Sequence, residues 1–560
     1  MSQNHLIGNV ALNVHASRQT DGVALQTEVS EWFWQDLLPE LNQALDAVIE
    51  PHTVVRLDRI AIELPAVGKK NWKEKLTQSV CRMIAEEIIR RRLFPRSTDA
   101  PVQEVSPTAN RFEAWLDFIR TGHRRLSVAT PVEWELAALD LIATSPVAVS
   151  TFRQLLRTQP VALERLVRQY DDPFLVQLAE AMTGRSAREL LRWQTAFRGL
   201  FAVTWWQKCI GITLVEVKNA TSVFWLLVFE KLSTDTYQSE LSQWVNSTEF
   251  FKRLLERVTR RSFSATSQAL VLDRFFQQQH RQQAKPKTRA QKSRVGKSID
   301  IVFETTQLQQ AIREAFRNVS EGELLVSLFE KIVEEHRTVI TNFLAKQSQI
   351  SSSGATVSQS ADAETELPVE KSTEAGRADN VSERMPIDNP IHTDVDEGEV
   401  FYVPNAGVVL LHPFLSAYFT EVGLQPNRQS DHRRAVQLIH YLATGKTKTP
   451  EYEQGLPKIL AGWPINQPID GSIRLTKREK AEAKSLLDMV IAYWSALGST
   501  SVAGLREGFF YRDGRLTKRD NGWLLQVERQ TIDILLDQLP WGIGVIKHSW
   551  MNEFLYVEWY

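Results

Sequence analysis

The sequence predicts a mainly helical, multi-domain chain with mixed α/β domains at its two ends. Three observations predict it. At 560 residues the chain is longer than one hydrophobic core accommodates, and 43% hydrophobic residues can fill several. The apolar pattern changes from alternating to helical and back to alternating along the chain. Two stretches, 281–299 and 350–400, lose large apolar residues and read as linkers.

The elements follow in order. Residues 1–95 read as an α/β domain. Leu6 to Val14 is expected as a strand, and Leu25 to Ile49 as helix between Gly22 and Pro51. In "TVVRLDRIAIEL" alternation is imperfect but β-branched content favours a strand, with Val55, Leu57, Arg59, Ala61 and Glu63 on one face and Val54, Arg56, Asp58, Ile60, Ile62 and Leu64 on the other. Residues 72–93 have helical spacing and end in Arg90, Arg91 and Arg92, where cations suit the helix dipole. A polar linker, 96–109, follows.

Residues 110–280 read as a helical bundle. Pro131, Pro146, Pro160 and Pro173 punctuate it, and three follow capping residues: Thr130, Ser145 and Asp172. Spacing near fourteen residues implies short helices folding back on each other, not one rod. "TWWQ" and "VFWLLVF" are expected in its core. The basic linker 281–299 precedes a helical segment, 300–349, with one helix expected from Gln307 to Ala345. The acidic, Ser-rich stretch 350–400 is expected to be disordered. Residues 401–560 return to α/β. An apolar strand or turn leads into a helix in "VPNAGVVLLHPFLSAYFTEVGL". Thr476 and Glu479 form a capping box before a long helix. "GWLLQVERQ" reads as a strand, "TIDILLDQLP" as a short helix, and "GIGVIKHSWMNEFLYVEWY" as one or two strands. Trp541, Ile543 and Val545 are expected to face inward together.

Composition narrows function. The 66 Lys+Arg balance 67 Asp+Glu, so no bulk attraction to nucleic acid or membrane is indicated. Cys81 and Cys209 are the only cysteines, too few for a disulfide framework or a multi-cysteine zinc site. "MSQNHLIGNV" carries no signal-peptide pattern, and the most apolar run, Val223 to Phe229, is far shorter than a membrane span. The 16 tryptophans suit cores and also protein contact surfaces.

No catalytic constellation emerges. "VGKS" and "TGKT" resemble phosphate loops, but Gln291 and His440 stand where the additional glycine is needed. There is no HExxH and no GxSxG. His412 lacks a nucleophile, so a hydrogen-bonded structural role is expected, and Asp58 and Glu63 fall on opposite faces of a regular strand. No catalytic residue, metal ligand or cofactor site is therefore assigned, and an enzyme is not expected.

Four stretches carry a family resemblance. They are "NHLIGNVALNVHA…ALQTEVSEWFWQDLLPELNQAL" with "VVRLDRIAIEL"; "FEAWLDFIRTGHRR"; "GVVLLHPFLSAYFTEVGL" with "AVQLIHYLATGK" and "LPKILAGWPI"; and "LGSTSVAGLREGFFYRDGRL…WLLQVE…DILLDQLPWGIGVIKHSWM…VEW". The chain resembles the tape measure proteins of extracellular contractile injection systems, phage-tail-like particles of the antifeeding-prophage and virulence-cassette type. It departs from them after Gly122, where His-Arg-Arg replaces the frequent Leu-Pro-Trp.

The resemblance implies a structural protein that sets inner-tube length during assembly. Its partners would be the inner tube and the hub or spike proteins, and it would form a homo-oligomer with no membrane or nucleic-acid partner. It would be cytoplasmic during assembly and then lie within the released extracellular particle. An assembly chaperone or adaptor that does not measure length is the alternative. The C-terminal domain would dock on another particle protein, with Trp541, Lys547, Trp550, Met551 and Trp559 as candidate contact residues. A ruler is expected to be one long helix, roughly 840 Å for the whole chain; the proline-punctuated pattern implies much less.

Overall fold

The computed structural model describes residues 5–8, 10–15, 22–50, 52–68, 70–93, 102–124, 130–212, 214–234, 241–261, 305–335, 395–425 and 428–560. The basic linker 281–299, its "VGKS", and nearly all of 350–400 lie outside these residues. The chain is mainly helical and forms two compact units. One combines residues 1–169 with 393–560, and the other is residues 170–392. The boundary at Gln169 falls inside the stretch expected as one bundle, 110–280. Residues 110–169 instead share a unit with the C-terminal α/β region.

In the first unit, α1 (Gly22–Trp32) runs through one π-helical turn, Phe33–Leu37, into α2 (Leu38–Val48). α3 (Trp72–Leu93) packs on them through Trp32, Leu37, Val80, Leu41, Leu45 and Ile88. Arg90 and Arg91 both donate to Glu87, holding its carboxyl down to about 2, and Arg92 pairs with Glu104.

The strand expectations here are only partly met. Leu6 to Val14 is not a strand: its described residues have no regular structure. Of "TVVRLDRIAIEL", only Val54–Arg56 (β1) is strand, paired antiparallel with Gln103–Val105 (β2). The expected alternation holds from Ile60 to Leu64 but fails at Leu57, expected on the opposite face, which packs in the same cluster as Ile60. Ile60, Ile62 and Leu64 pack on the helices while Ala61 and Glu63 are exposed. What this stretch lacks is a neighbouring strand.

Four proline-led helices follow: α4 (Pro107–Thr121), α5 (Pro131–Thr144), α6 (Pro146–Thr158) and α7 (Pro160–Gln169). Ser106, Thr130 and Ser145 cap the first three, each accepting from a backbone N–H three residues on. Among the described residues no single helix is long and apolar enough to cross a membrane; α5 and α6 would pass only as a pair, and they bend by 113°.

In the second unit, α8 (Asp172–Thr183) is capped by Asp171, not by Asp172, so Pro173 sits one place further in. α9 (Arg188–Ala202), α10 (Thr204–Ile210), α11 (Leu214–Thr234), α12 (Leu241–Val245) and α13 (Thr248–Thr259) complete the array. Trp206, Phe224, Trp225 and Phe229 are buried as expected, and Phe197 stacks among Trp193, Phe224, Phe250 and Phe251. The helix expected from Gln307 is two, Thr305–Phe316 and Gly322–Glu335. The break, with Glu321 at positive φ, brings the chain so close that a side chain at Gly322 would meet the Phe316 carbonyl at 2.2 Å.

The C-terminal region builds a five-stranded sheet in the order β3 (Val400–Val403), β4 (Gly514–Arg519), β5 (Gly522–Val527), β7 (Phe554–Trp559), β6 (Val545–Ile546). β5 and β7 run parallel, and the other neighbours are antiparallel. β5 is buried almost throughout, as a central strand covered on both faces should be. The apolar run after Val403 is a 3₁₀ helix, Ala406–Phe414, leading into Leu415–Glu421. The capping box at Thr476 and Glu479 is formed as expected. "TIDILLDQLP" is a 3₁₀ helix, Thr531–Gln538.

The 3₁₀ segment passes so close to Phe509 that only glycine fits at 407. A methyl there would lie 1.7 Å from the Phe509 carbonyl oxygen. Gly407→Ala is expected to lower the unfolding free energy by roughly 2–4 kcal/mol, by overpacking against backbone that cannot swing aside. Urea unfolding followed by tryptophan fluorescence checks this; an unchanged midpoint contradicts the packing.

Candidate functional site

Within the first unit, α4 and α7 meet the C-terminal region around three charged side chains that are fully buried. Arg165 of α7 donates through Nε to Glu451 Oε2 at 3.0 Å, and Lys458 Nζ donates to Glu451 Oε1 at 2.7 Å. All three side chains have no solvent exposure. Burying ions is costly unless every donor is used. Here the remaining Arg165 donors reach the carbonyls of Ile119, Arg120 and Asn466, and Lys458 also reaches that of Ile465. Arg165 therefore caps two of the last carbonyls of α4 while its other bonds, and those of Lys458, hold the C-terminal region against it.

Gly122 makes room for this. It ends α4 in the left-handed region, φ 81°, and a side chain there would lie 2.4 Å from Glu451 Oε1. His123 follows, buried, its ring against Phe401 at 4.3 Å and its Nε2 3.0 Å from Asn466 Oδ1. This is the position where the chain departs from the tape measure pattern in sequence. Burial, with the Lys458 charge nearby, holds the His123 imidazole well below its ordinary range, so it is neutral at pH 7.

Around the ions the closure continues. Tyr452 packs edge-on to Phe118 and Trp134. Arg168 pairs with Asp470 at 2.7 Å, and the Gly471 N–H donates to the Arg168 carbonyl. The Glu451 N–H donates to Gln169 Oε1.

Sequence reasoning missed this cluster. A signal was present: Lys458 sits inside the apolar run "GLPKILAGWPI", and Arg165 lies among Ala162, Leu163, Leu166 and Val167. A charge amid apolar positions needs a buried partner, although periodicity cannot say which.

The candidate contact residues divide. Trp550 and Met551 are buried in the core, Trp550 Nε1 donating to the Leu460 carbonyl at 2.9 Å. Trp559 is half-buried and donates to Asp533 Oδ2 at 2.9 Å, so it braces the buried Arg512–Asp533 pair. Lys547 is exposed, its ammonium 5.3 Å above the Phe554 ring. Trp541 is half-buried, donates to the Leu410 carbonyl, and stacks on Tyr493 at 5.8 Å, which is 60% exposed. Trp541 and Ile543 pack on the core, but Val545 is exposed, contrary to the expected inward face. The cause is that the strand is only two residues long and begins at Val545 with its side chain to solvent.

The other sequence candidates are structural. Gly445 of "TGKT" ends the helix Gln429–Thr444 in the left-handed region, whereas a phosphate loop opens a helix. His412 Nε2 lies 2.9 Å from the Gly542 carbonyl oxygen, the structural role expected of it. Among the described residues no three His, Cys, Asp or Glu side chains gather as a metal site would require.

Two outcomes test the cluster. Arg165→Met leaves Glu451 with one cation and is expected to cost about 3–5 kcal/mol; adding Glu451→Gln together with Lys458→Met, which leaves no buried charge unpaired, should recover a large part. Chemical denaturation of both variants measures it, and additive losses would contradict a coupled pair. Separately, burial pulls Lys458 down to about 8, from an ordinary 10.5. The unfolded chain then holds the extra proton between those values, so the penalty is full below pH 8 and is relieved as pH rises. Stability relative to Lys458→Met should rise by up to about 3 kcal/mol across that window. A pH-independent difference would contradict a charged, buried lysine.

No curated protein and no solved structure matches the chain. A family model described as contractile injection system tape measure protein matches residues 4–559, which spans both compact units and the charge cluster that closes the first. Because that match takes in nearly the whole sequence, the chain belongs to the contractile injection system tape measure protein family.

Proposed function

We propose that the protein acts structurally in setting inner-tube length while a phage-tail-like particle assembles. The single observation that supports this is the family match from residue 4 to 559. Family membership implies association with tube components. Inner-tube and hub or spike proteins are the proposed partners, with the chain in several copies. Assembly would take place in the cytoplasm, and the chain would remain with the released extracellular particle. A scaffold role rather than catalysis fits a site whose charged groups are all internally paired.

The Tyr493–Trp541 stack and Lys547 are the proposed contacts of the C-terminal region. Aromatic groups that are half-buried and held by a hydrogen bond lose little freedom on docking. Trp550, Met551 and Trp559 would support that face from beneath rather than touch a partner.

One observation favours the adaptor reading. Residues 1–169 and 393–560 form one compact unit, so the chain leaves at Gln169 and returns at Thr393. A wholly helical loop of roughly 220 residues that goes out and back reaches about 170 Å, far below the roughly 840 Å of the whole chain as one helix. Any measuring segment is therefore 170–392, not the terminal parts.

Particle-length histograms from micrographs separate the two. Duplicating residues 170–392 in frame should shift a ruler's particles to a new, narrow length. Deleting about 28 residues of the acidic stretch should change length much less, because a coil's span grows only with the square root of its length. Parent-like histograms for the duplication would leave the adaptor reading in its place.

A further inference from the structure

Two short segments of the first unit have strand character and no strand partner. The first is Val10–Val14, "VALNV", with Val10, Leu12 and Val14 at alternate positions and exposed by 44%, 42% and 53%. The second is Ile60–Leu64, "IAIEL", with Ile60, Ile62 and Leu64 against the helices and Ala61 and Glu63 outward. The second follows β1 after a bend at Asp58, beyond Arg56, where pairing with β2 ends.

Among the described residues, no backbone–backbone bond reaches 10–14 or 60–64. Just before the second segment, the Arg59 carbonyl accepts from Arg91, which pins that edge to α3. An edge of this kind is a template for an added strand. The two segments match: each has five residues, apolar at the first, third and fifth, and no backbone–backbone bond to another described residue.

We infer that Val10–Val14 of one copy adds as a strand beside Ile60–Leu64 of a second copy. The apolar side chains of the arm are only about half covered, and His5 at its root is tied to Asp46 at 2.8 Å. Paired in this way, Val10, Leu12 and Val14 extend the apolar row made by Ile60, Ile62 and Leu64, and Ala11 comes to lie beside Ala61 on the outward face. The added strand runs parallel to Ile60–Leu64, Val10 beside Ile60 and Val14 beside Leu64, along an edge that β2, which pairs only with Val54–Arg56, does not cover. Exchange of an identical element between copies is a low-cost route to a homo-oligomer. The inference rests on the strand edge and not on the length-setting reading.

Full-length Ala11→Cys and Ala61→Cys chains, each with Cys81 and Cys209 replaced by alanine, are mixed and oxidised. Disulfide-linked peptides are then identified by mass spectrometry. The two cysteines are on different chains, so a peptide joining positions 11 and 61 can only be intermolecular. It is expected in the mixture, and at least tenfold reduced when Leu12→Pro removes an N–H from the arm. Sedimentation provides the second readout: removing residues 1–15 should convert the oligomer to monomer. No 11–61 linkage in the mixture overturns the inference, and so does its formation only within a chain bearing both cysteines, which would be closure of the arm on its own body. An oligomer unaffected by loss of the arm overturns it as well.

Discussion

The first unit depends on one carboxylate. Glu451 is fully buried, and both its oxygens are taken by cations from different parts of the chain, Arg165 and Lys458. Arg165 is in turn committed to three carbonyls, two of them at the end of α4. Without Glu451, two cations would face each other in an apolar interior. Without the cations, the carboxylate would be stranded. Such a site forms only when α4, α7 and the segment around 451–466 are all in place, so it specifies which surfaces meet. Whether it also adds net stability is a separate matter, since a well-packed apolar replacement can be as stable.

This specification has a topological consequence. The helices 107–169 and the strands after 400 belong to one unit, although more than two hundred residues separate them in sequence. A chain closed at Gln169 and Thr393 cannot lie fully extended while the cluster is intact. The compact unit and the family's measuring role are compatible if the terminal parts serve as a base and only the stretch between them spans.

Local physics was legible from the residues. Proline after a capping oxygen marked the starts of α5 and α6, and the Thr476–Glu479 box marked the long C-terminal helix. The alternation of Ile60, Ile62 and Leu64 was also correct, yet strand pairing did not follow, because alternation reports a face and not a neighbour. The division of 110–280 was not legible. Helical periodicity is the same on both sides of Gln169, and only Arg165 and Lys458, charges set among apolar positions, hinted that the surfaces would be shared with distant sequence. The candidate contacts show the same limit: Trp541 and Trp550 look alike in sequence, but one stacks beside an exposed tyrosine and the other is sealed in the core.

The most direct test is to express residues 1–169 and 393–560 as two separate chains. The account predicts that they copurify as an equimolar complex, with tryptophan fluorescence of a folded core, and that Arg165→Met in the first chain or Glu451→Gln in the second weakens the complex markedly. If residues 393–560 fold alone and show no affinity for the first chain, or if the two substitutions leave the complex unchanged, the buried carboxylate does not hold this unit together.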